Sequence, residues 1–363
     1  MRFFKGFLVF NILFVCLIPQ TSHPCTTFCL DHDAQKLFGK NYDWHIGRGL
    51  VIINKRGVLK TAISDREKDP GPYAHWTSRY GSLTFNQYGR ENPMGGMNEN
   101  GLVIHMMMLP ETQYPEPDSR LGIGSLQWIQ YQLDNFSKVE EVISSDDQLR
   151  IISKEEPGLH YLVMDRMGNC ATIEFLEGKR VYHTRESMPV KTLANSTYAF
   201  SVEYLKWHQG FDGKLSIPNG ESSLVRFVKA ANMLKSDHLK AKKQKSLVDY
   251  AFDILANVAQ TSTKWSIVYD LQNLRSYFRT SLNQQIRYVD LKAFDFSCLQ
   301  PVKILNMDTD FSGNVSNKFY DYTQQYNLDL IRHAFKETYF LSGVPDPVLE
   351  LLSRYPESTS CTE

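Results

Sequence analysis

The spacing of apolar positions changes repeatedly along this chain, and each change predicts a different element. Phe7 to Ile18 is apolar apart from Asn11 and follows the basic residues Arg2 and Lys5. The run is shorter than the roughly 20 residues of a comfortable membrane span, so it predicts a secretory leader. From Cys25 the pattern is that of short strands. Thr26 to Leu30 and Lys36 to Tyr42 form a hairpin about Asp31-His32-Asp33, and Val51 to Asn54 is a third strand. Trp76 to Tyr88 alternates loosely, and Asn98-Glu99-Asn100-Gly101 turns the chain into the apolar run Leu102 to Leu109.

Helical spacing then takes over. Leu126, Ile129 and Leu133 share one face, and Val139, Val142 and Ile143 follow Ser137 as a cap. Strands return at His160 to Met164, Ala171 to Leu176 and Arg180 to Thr184. Helices are expected over Ser222 to Leu234 and Leu247 to Ala259, an antiparallel meander over Trp265 to Leu271, Leu274 to Thr280 and Gln285 to Asp290, and a late helix over Leu328 to Leu341. Strand blocks joined by hairpins and alternating with helices predict an α+β fold of antiparallel sheets with helices packed outside.

Composition narrows the options. The chain has 363 residues, and its 40 basic residues balance its 40 acidic ones. Losing Arg2 and Lys5 with the leader leaves 38 (40 − 2) against 40, a balance that points to neither nucleic acid nor an anionic membrane as partner. No Gly/Ser-rich or Pro-rich linker divides the sequence, so the expected organisation is a signal peptide and short pro-segment over 1–24 and one domain over 25–363. The leader predicts a secreted or periplasmic protein, with no membrane contact after its removal. Gln20-Thr21-Ser22 offers a small residue for cleavage but leaves His23-Pro24 ahead of Cys25, so exposing Cys25 takes a second trimming or self-cleavage step. The same His23-Pro24 argues against a lipid-modified cysteine.

Cys16 leaves with the leader, and Cys25, Cys29, Cys170, Cys298 and Cys361 remain. An odd number in an oxidising compartment leaves at least one thiol free or paired with another chain. If the stretch is extended, Cys25 and Cys29 stand roughly 13 Å apart, beyond the ~7 Å a disulfide tolerates, and cannot bond to each other.

Cys25 is the centre of the chemical reading. A thiol attacks only as thiolate, so a cysteine enzyme needs a base or a positive neighbour. A cysteine that begins the mature chain carries its own base, because an α-amino group has an ordinary pKa of about 7.7–8.0. None of the ten histidines has a comparable context.

Several segments are similar to one known family. Cys25-Thr26, Leu37-Phe38-Gly39-Lys40-Asn41-Tyr42-Asp43-Trp44, Gly96-Met97-Asn98-Glu99-Asn100-Gly101-Leu102 and Leu193-Ala194-Asn195-Ser196 resemble, in order, the choloylglycine hydrolase and penicillin V acylase family of N-terminal-nucleophile hydrolases. Weaker likenesses follow at Asn135 to Val142, Ser223 to Phe227 and Ile254 to Val258.

The resemblance implies a four-layer αββα sandwich and hydrolysis of linear amides through a thioester on Cys25. It implies that Asp43 holds the α-ammonium, that Asn195 donates to the oxyanion, and that Arg226 supports the charged cluster. Where the family usually has arginine three residues before the aspartate, this chain has Lys40, a point charge without the bidentate fork. Where many members have a second oxyanion asparagine, it has Met108, whose thioether cannot donate. Only 31 positions (226 − 195) separate Asn195 from Arg226, too few for the family's long tetramer-forming loop, though homo-oligomers of another kind stay open. Tyr42, Trp44 and Met108 are candidates for an apolar substrate wall. Conjugated bile acids, phenoxyacetyl-type penicillins and N-acyl homoserine lactones are the substrate classes implied, with a lean toward the penicillin V acylase-like branch.

Two other readings stay open: a non-catalytic exported binding protein on the same fold, and a cysteine enzyme using a histidine such as His45. Asp308 to Gly313 begins like a calcium loop but places Phe319 where the closing glutamate belongs. No metal, phosphate-loop or dinucleotide signature occurs, so no cofactor is expected.

Overall fold

The computed structural model describes residues 25–362, apart from 33, 64–68, 70, 153–156 and 236–245. The predicted leader and His23-Pro24 lie outside the described residues. The strands that position the site are β1 (Thr26–His32), β2 (Gln35–Asp43), β3 (Val103–Met108), β4 (Leu159–Met164), β5 (Cys170–Leu176) and β6 (Thr263–Asp270). The helices are α1 (Ser125–Asn135), α2 (Val139–Ser144), α3 (Tyr198–Leu205), α4 (Ser223–Met233), α5 (Leu247–Asn257), α6 (Gln324–Glu337) and α7 (Asp346–Arg354).

Two large sheets form the body. The first has seven strands, with Thr192–Leu193 beside β1, then β2, β6 and the rest of the meander. The second has nine, and β5, β4 and β3 lie consecutively within it. Pairing is antiparallel throughout the second sheet and in the first except at its far edge, where Arg287–Asp290 runs parallel to Gly313–Asn314.

Alternation along β2 explains the layering. Phe38, Lys40 and Tyr42 face the second sheet, where Phe38 stacks on His105 of β3. Leu37 faces the other way and joins Phe28 and Leu30 of β1 in a cluster with Tyr250, Ile254 and Leu255 of α5. Each such fully buried side chain is worth about 1.5–3 kcal/mol, enough to fix which face carries the helices. On the far side, α1 packs on the second sheet, with Trp128 4.5 Å from the ring of Tyr161. Helix, sheet, sheet and helix therefore stack in the four-layer αββα order that the resemblance implied.

Sequence features account for the local choices. Gly39 sits opposite Phe28 in the β1–β2 register, and a Cβ there would lie 2.2 Å from the phenyl ring. Gly101 has φ of 83°, and its turn is closed by the side-chain oxygen of Asn98, which accepts from the main-chain N–H of Asn100 and Leu102. The α2 helix starts at Val139, later than Ser137 promised, with Glu141 accepting from the N–H groups of Ser137 and Lys138.

Two disulfides cross the fold. Cys29–Cys170 ties β1 to β5 between the sheets, and Cys298–Cys361 pins the C-terminal segment. Cys25 is the free cysteine among the described residues.

Candidate active site

Cys25 immediately precedes β1, and it is 3% exposed. Its thiol points at the main-chain carbonyl of Asp43, 4.0 Å away at the end of the neighbouring strand. The approach follows from a β-bulge. In the β2–β6 ladder Thr263 pairs with Asp43 and Trp265 with Tyr42, so Lys264 is the extra residue. Bulges re-aim side chains at sheet edges. Here the bulge sets the Thr263 hydroxyl to donate to Asp43 Oδ1.

The other carboxylate oxygen is left over. Asp43 Oδ2 is buried and has no hydrogen-bond partner among the described residues. Burial lifts the Asp43 carboxyl from 3.8 to about 6, against the opposing pull of the Thr263 hydroxyl, Arg226 and Lys40. An uncompensated oxygen in such a place is costly and marks a missing donor.

Lys40, two residues before Tyr42 on the inward face, is fully buried and donates to the main-chain carbonyl of Met106 at 2.8 Å. Burial draws its pKa down, while the nearby Cys25 sulfur and Asp43 hold it up. Arg226 comes from the buried face of α4, which the Ser222 cap begins. One of its guanidinium nitrogens donates to the main-chain carbonyl of Cys25 and, at 2.6 Å, to the Thr26 hydroxyl. Another donates to Asn195 Oδ1 at 3.0 Å, and Nε donates to the Glu221 carbonyl at 3.1 Å. Burial brings its pKa down to about 10, offset by Asp43 first and then by Cys25 and Glu221.

Asn195 completes the group. Its side-chain Nδ2 donates to the main-chain carbonyl of Met108 at 2.8 Å, and its own N–H donates to Ser223 Oγ at 2.8 Å. With its oxygen taken by Arg226, the amide is oriented on both sides and retains a second N–H. The Met108 position thus reaches the site through its main-chain carbonyl, which accepts from Asn195, whereas the sequence pointed to a backbone N–H donor in place of the thioether.

The structure therefore brings Cys25, Lys40, Asp43, Asn195 and Arg226 together. Tyr42 and Trp44 are differently engaged. Tyr42 is buried, stacked on Trp265 at 4.4 Å, and donates to Gln87 Oε1. Trp44 donates to the Tyr88 hydroxyl at 2.9 Å, and that hydroxyl meets Thr338 Oγ1 just beyond α6. His45 is exposed and held against the main-chain carbonyl of Glu337 at the end of α6. His105 is buried under Gly95 and bonded to the Tyr269 hydroxyl; burial, then Lys40, pushes its pKa well down. Neither histidine contacts the Cys25 thiol through a hydrogen bond.

Thr26, Thr263 and Ser223 were not singled out from the sequence. Thr26 stands in the quoted Cys-Thr pair, and Ser223 follows the cap of the helix bearing Arg226. Thr263 left no signal, because a bulge is invisible until two strands are paired. Among the described residues no three potential ligands cluster to hold a metal ion.

Comparison with known proteins agrees with this geometry. Residues 25–304 match the family described as linear amide C–N hydrolases, choloylglycine hydrolase family. A penicillin V acylase of Pectobacterium atrosepticum is 27% identical over 298 residues, covering 70% of this chain and 79% of that protein. The solved penicillin V acylase from Agrobacterium tumefaciens aligns with a TM-score of 0.68 at 24% identity, over 82% of this chain and 98% of that one. A mutant conjugated bile acid hydrolase from Clostridium perfringens aligns with a TM-score of 0.63 at 20% identity, over 80% and 98%. These structures share the fold.

Proposed function

This chain belongs to the choloylglycine hydrolase family of linear amide C–N hydrolases, and on that premise we propose that it acts once it begins at Cys25, with the sulfur and α-amine of that residue as nucleophile and base. The observation that carries this reading is the buried, unpartnered Oδ2 of Asp43 beside Cys25. An α-ammonium at Cys25 supplies the charged donor that this oxygen lacks.

The steps follow from the placement. The neutral amine takes the thiol proton, and the sulfur attacks the amide carbonyl of an N-acyl compound. The tetrahedral oxyanion receives the second N–H of Asn195, whose aim is fixed by Met108 and Arg226. The ammonium then protonates the departing nitrogen, the C–N bond breaks, and an amine product leaves a thioester. Water attacks that thioester, giving its proton to the amine, and the carboxylic acid departs with Cys25 restored. Lys40 and Arg226 place positive charge where negative charge forms on sulfur and oxygen.

The domain runs from 25 to 363, and the protein works outside the cytoplasm. Two disulfides and the leader pattern support that location. An apolar or aromatic acyl group is the favoured substrate portion, because the named relative is a penicillin V acylase. The test is a panel of penicillin V, a taurine-conjugated bile salt and an N-acyl homoserine lactone, run beside Cys25→Ala and Cys25→Ser. The mature protein should release amine from at least one substrate and Cys25→Ala from none. Turnover by Cys25→Ala, or none by the protein starting at Cys25, would overturn the reading.

A further inference from the structure

Directly under the Asn195 segment lies a buried pair that the mechanism above does not use. His160 of β4 and Glu174 of β5 stand opposite one another in the second sheet and are fully buried. The ring Nδ1 of His160 meets Glu174 Oε1 at 3.1 Å, and Nε2 meets the main-chain carbonyl of Ala194 at 2.7 Å. The Ala194 carbonyl can only accept, so Nε2 carries the proton of that bond, and the proton of the other bond is shared between Nδ1 and the Glu174 carboxyl. Glu174 Oε1 also accepts the main-chain N–H of Tyr198, the first residue of α3, at 2.9 Å.

This arrangement bears on one peptide plane. The carbonyl of Ala194 and the N–H of Asn195 belong to the same planar unit. His160 holds the carbonyl end and Ser223 Oγ holds the N–H end. With that plane fixed, the N–Cα bond that carries the Asn195 side chain is set, and the amide is then held at its far end by Met108 and Arg226. Glu174 ties both ends of the turn, through His160 at Ala194 and directly at Tyr198. Glu174 Oε2 is buried without a hydrogen-bond partner among the described residues, so the pair is expensive to build, which suits a positioning device better than a source of bulk stability.

We propose that His160, held by Glu174, is a positioning residue for the oxyanion donor Asn195. The claim rests on the role given to Asn195 above, and its test separates the two.

The first measurement is the 15N signature of the His160 ring in the folded protein at pH 7. Nε2 should carry a proton, and a bare Nε2 would overturn the contact with the Ala194 carbonyl. The second compares His160→Leu, His160→Gln and Glu174→Gln. His160→Leu should lower kcat at least 30-fold with KM within threefold. His160→Gln keeps a donor for the Ala194 carbonyl and should recover most of that loss, with Glu174→Gln between the two. Equal losses in the leucine and glutamine variants, or an effect confined to KM, would contradict the proposal.

The third readout needs no turnover: the side-chain amide resonance of Asn195 should shift in His160→Leu and stay near its original position in His160→Gln. If the glutamine variant shifts it as far, or if Glu174→Gln leaves it unmoved, the positioning role is wrong. Failure of every amide substrate would instead defeat the proposed function, with the ring and Asn195 signals still judging the pair.

Discussion

Replacing Arg226 by lysine keeps a positive charge and discards the fork, which makes it the sharpest perturbation of the site. The guanidinium serves the Cys25 carbonyl, the Thr26 hydroxyl, Asn195 Oδ1 and the Glu221 carbonyl from three separate nitrogens. A lysine Nζ is a single point and cannot span them. The Cys25 carbonyl and the Thr26 hydroxyl are buried and the bonds to Asn195 and Glu221 half-buried, and a hydrogen bond to a charged group is worth about 1.5–3 kcal/mol. Losing one such bond on the Asn195 side translates to roughly 10- to 150-fold if it is felt only in the transition state.

Arg226→Gln removes the charge as well. The expected fall in kcat is then about 100- to 1,000-fold, the range for a lost oxyanion donor, with about 3–5 kcal/mol of stability gone from the broken buried network. The assay is kcat and KM from amine release on the best substrate of the panel, with urea unfolding run in parallel. A lysine variant whose kcat stays within threefold of the parent would refute the idea that the fork aims Asn195.

Burial lifts the Asp43 carboxyl to about 6 from 3.8, so in a chain still extended ahead of Cys25 the folded state holds this proton more tightly than the unfolded state. Relative to Asp43→Asn, that chain should be most stable below about pH 4 and lose about 3 kcal/mol as pH rises through 6, measured by urea unfolding; a parallel pH dependence in the two would contradict it. An α-ammonium at Cys25 draws the Asp43 carboxyl back down, so the protein starting at Cys25 should lose less stability over this range than the extended chain, with Asp43→Asn down about 100-fold in kcat. Met108→Leu should leave kcat within threefold, because only the backbone of that residue holds Asn195; a tenfold loss would show the thioether at work. Alkylation followed by mass analysis of the unreduced, denatured mature chain should label one thiol, that of Cys25, and removing Cys29–Cys170 together as alanines should cost about 2–5 kcal/mol of unfolding free energy.

Much of the sheet framework was legible because strands buried on both faces stand out as short apolar runs bounded by turn residues. The Thr26 to Leu30 and Lys36 to Tyr42 hairpin, the run ending in Met108, and the strands after His160 and Ala171 appear within a residue or two of their expected bounds. The stretch Trp76 to Tyr88 misled, since it contains two strands of different sheets, His75–Thr77 and Ser82–Asn86. Helix α3 escaped notice because Tyr198 to Leu205 buries only Tyr198, Ser201 and Leu205, too few positions for a clear stripe. The late helix begins at Gln324, ahead of the first apolar residue that announced it, because the Thr323 side chain caps its N-terminus by accepting from Tyr326 N–H.

At the site, Cys25 stood out through its place after the leader, and Asp43, Asn195 and Arg226 through the family resemblance. Their mutual support did not. The inward aim of Arg226 shows only when α4 is packed, and Thr263 depends on a bulge. His160 and Glu174 belong to strands that read simply as apolar, so a buried polar pair there shows only when the second sheet is paired in register.

The most direct check is the intact mass of the mature protein before and after brief exposure to an amide that it hydrolyses slowly. The account predicts a polypeptide whose first residue is Cys25, gaining the mass of one acyl group that is absent from Cys25→Ser at the same pH. An active protein that still carries His23-Pro24, or an acyl group mapped to any other residue, would contradict it.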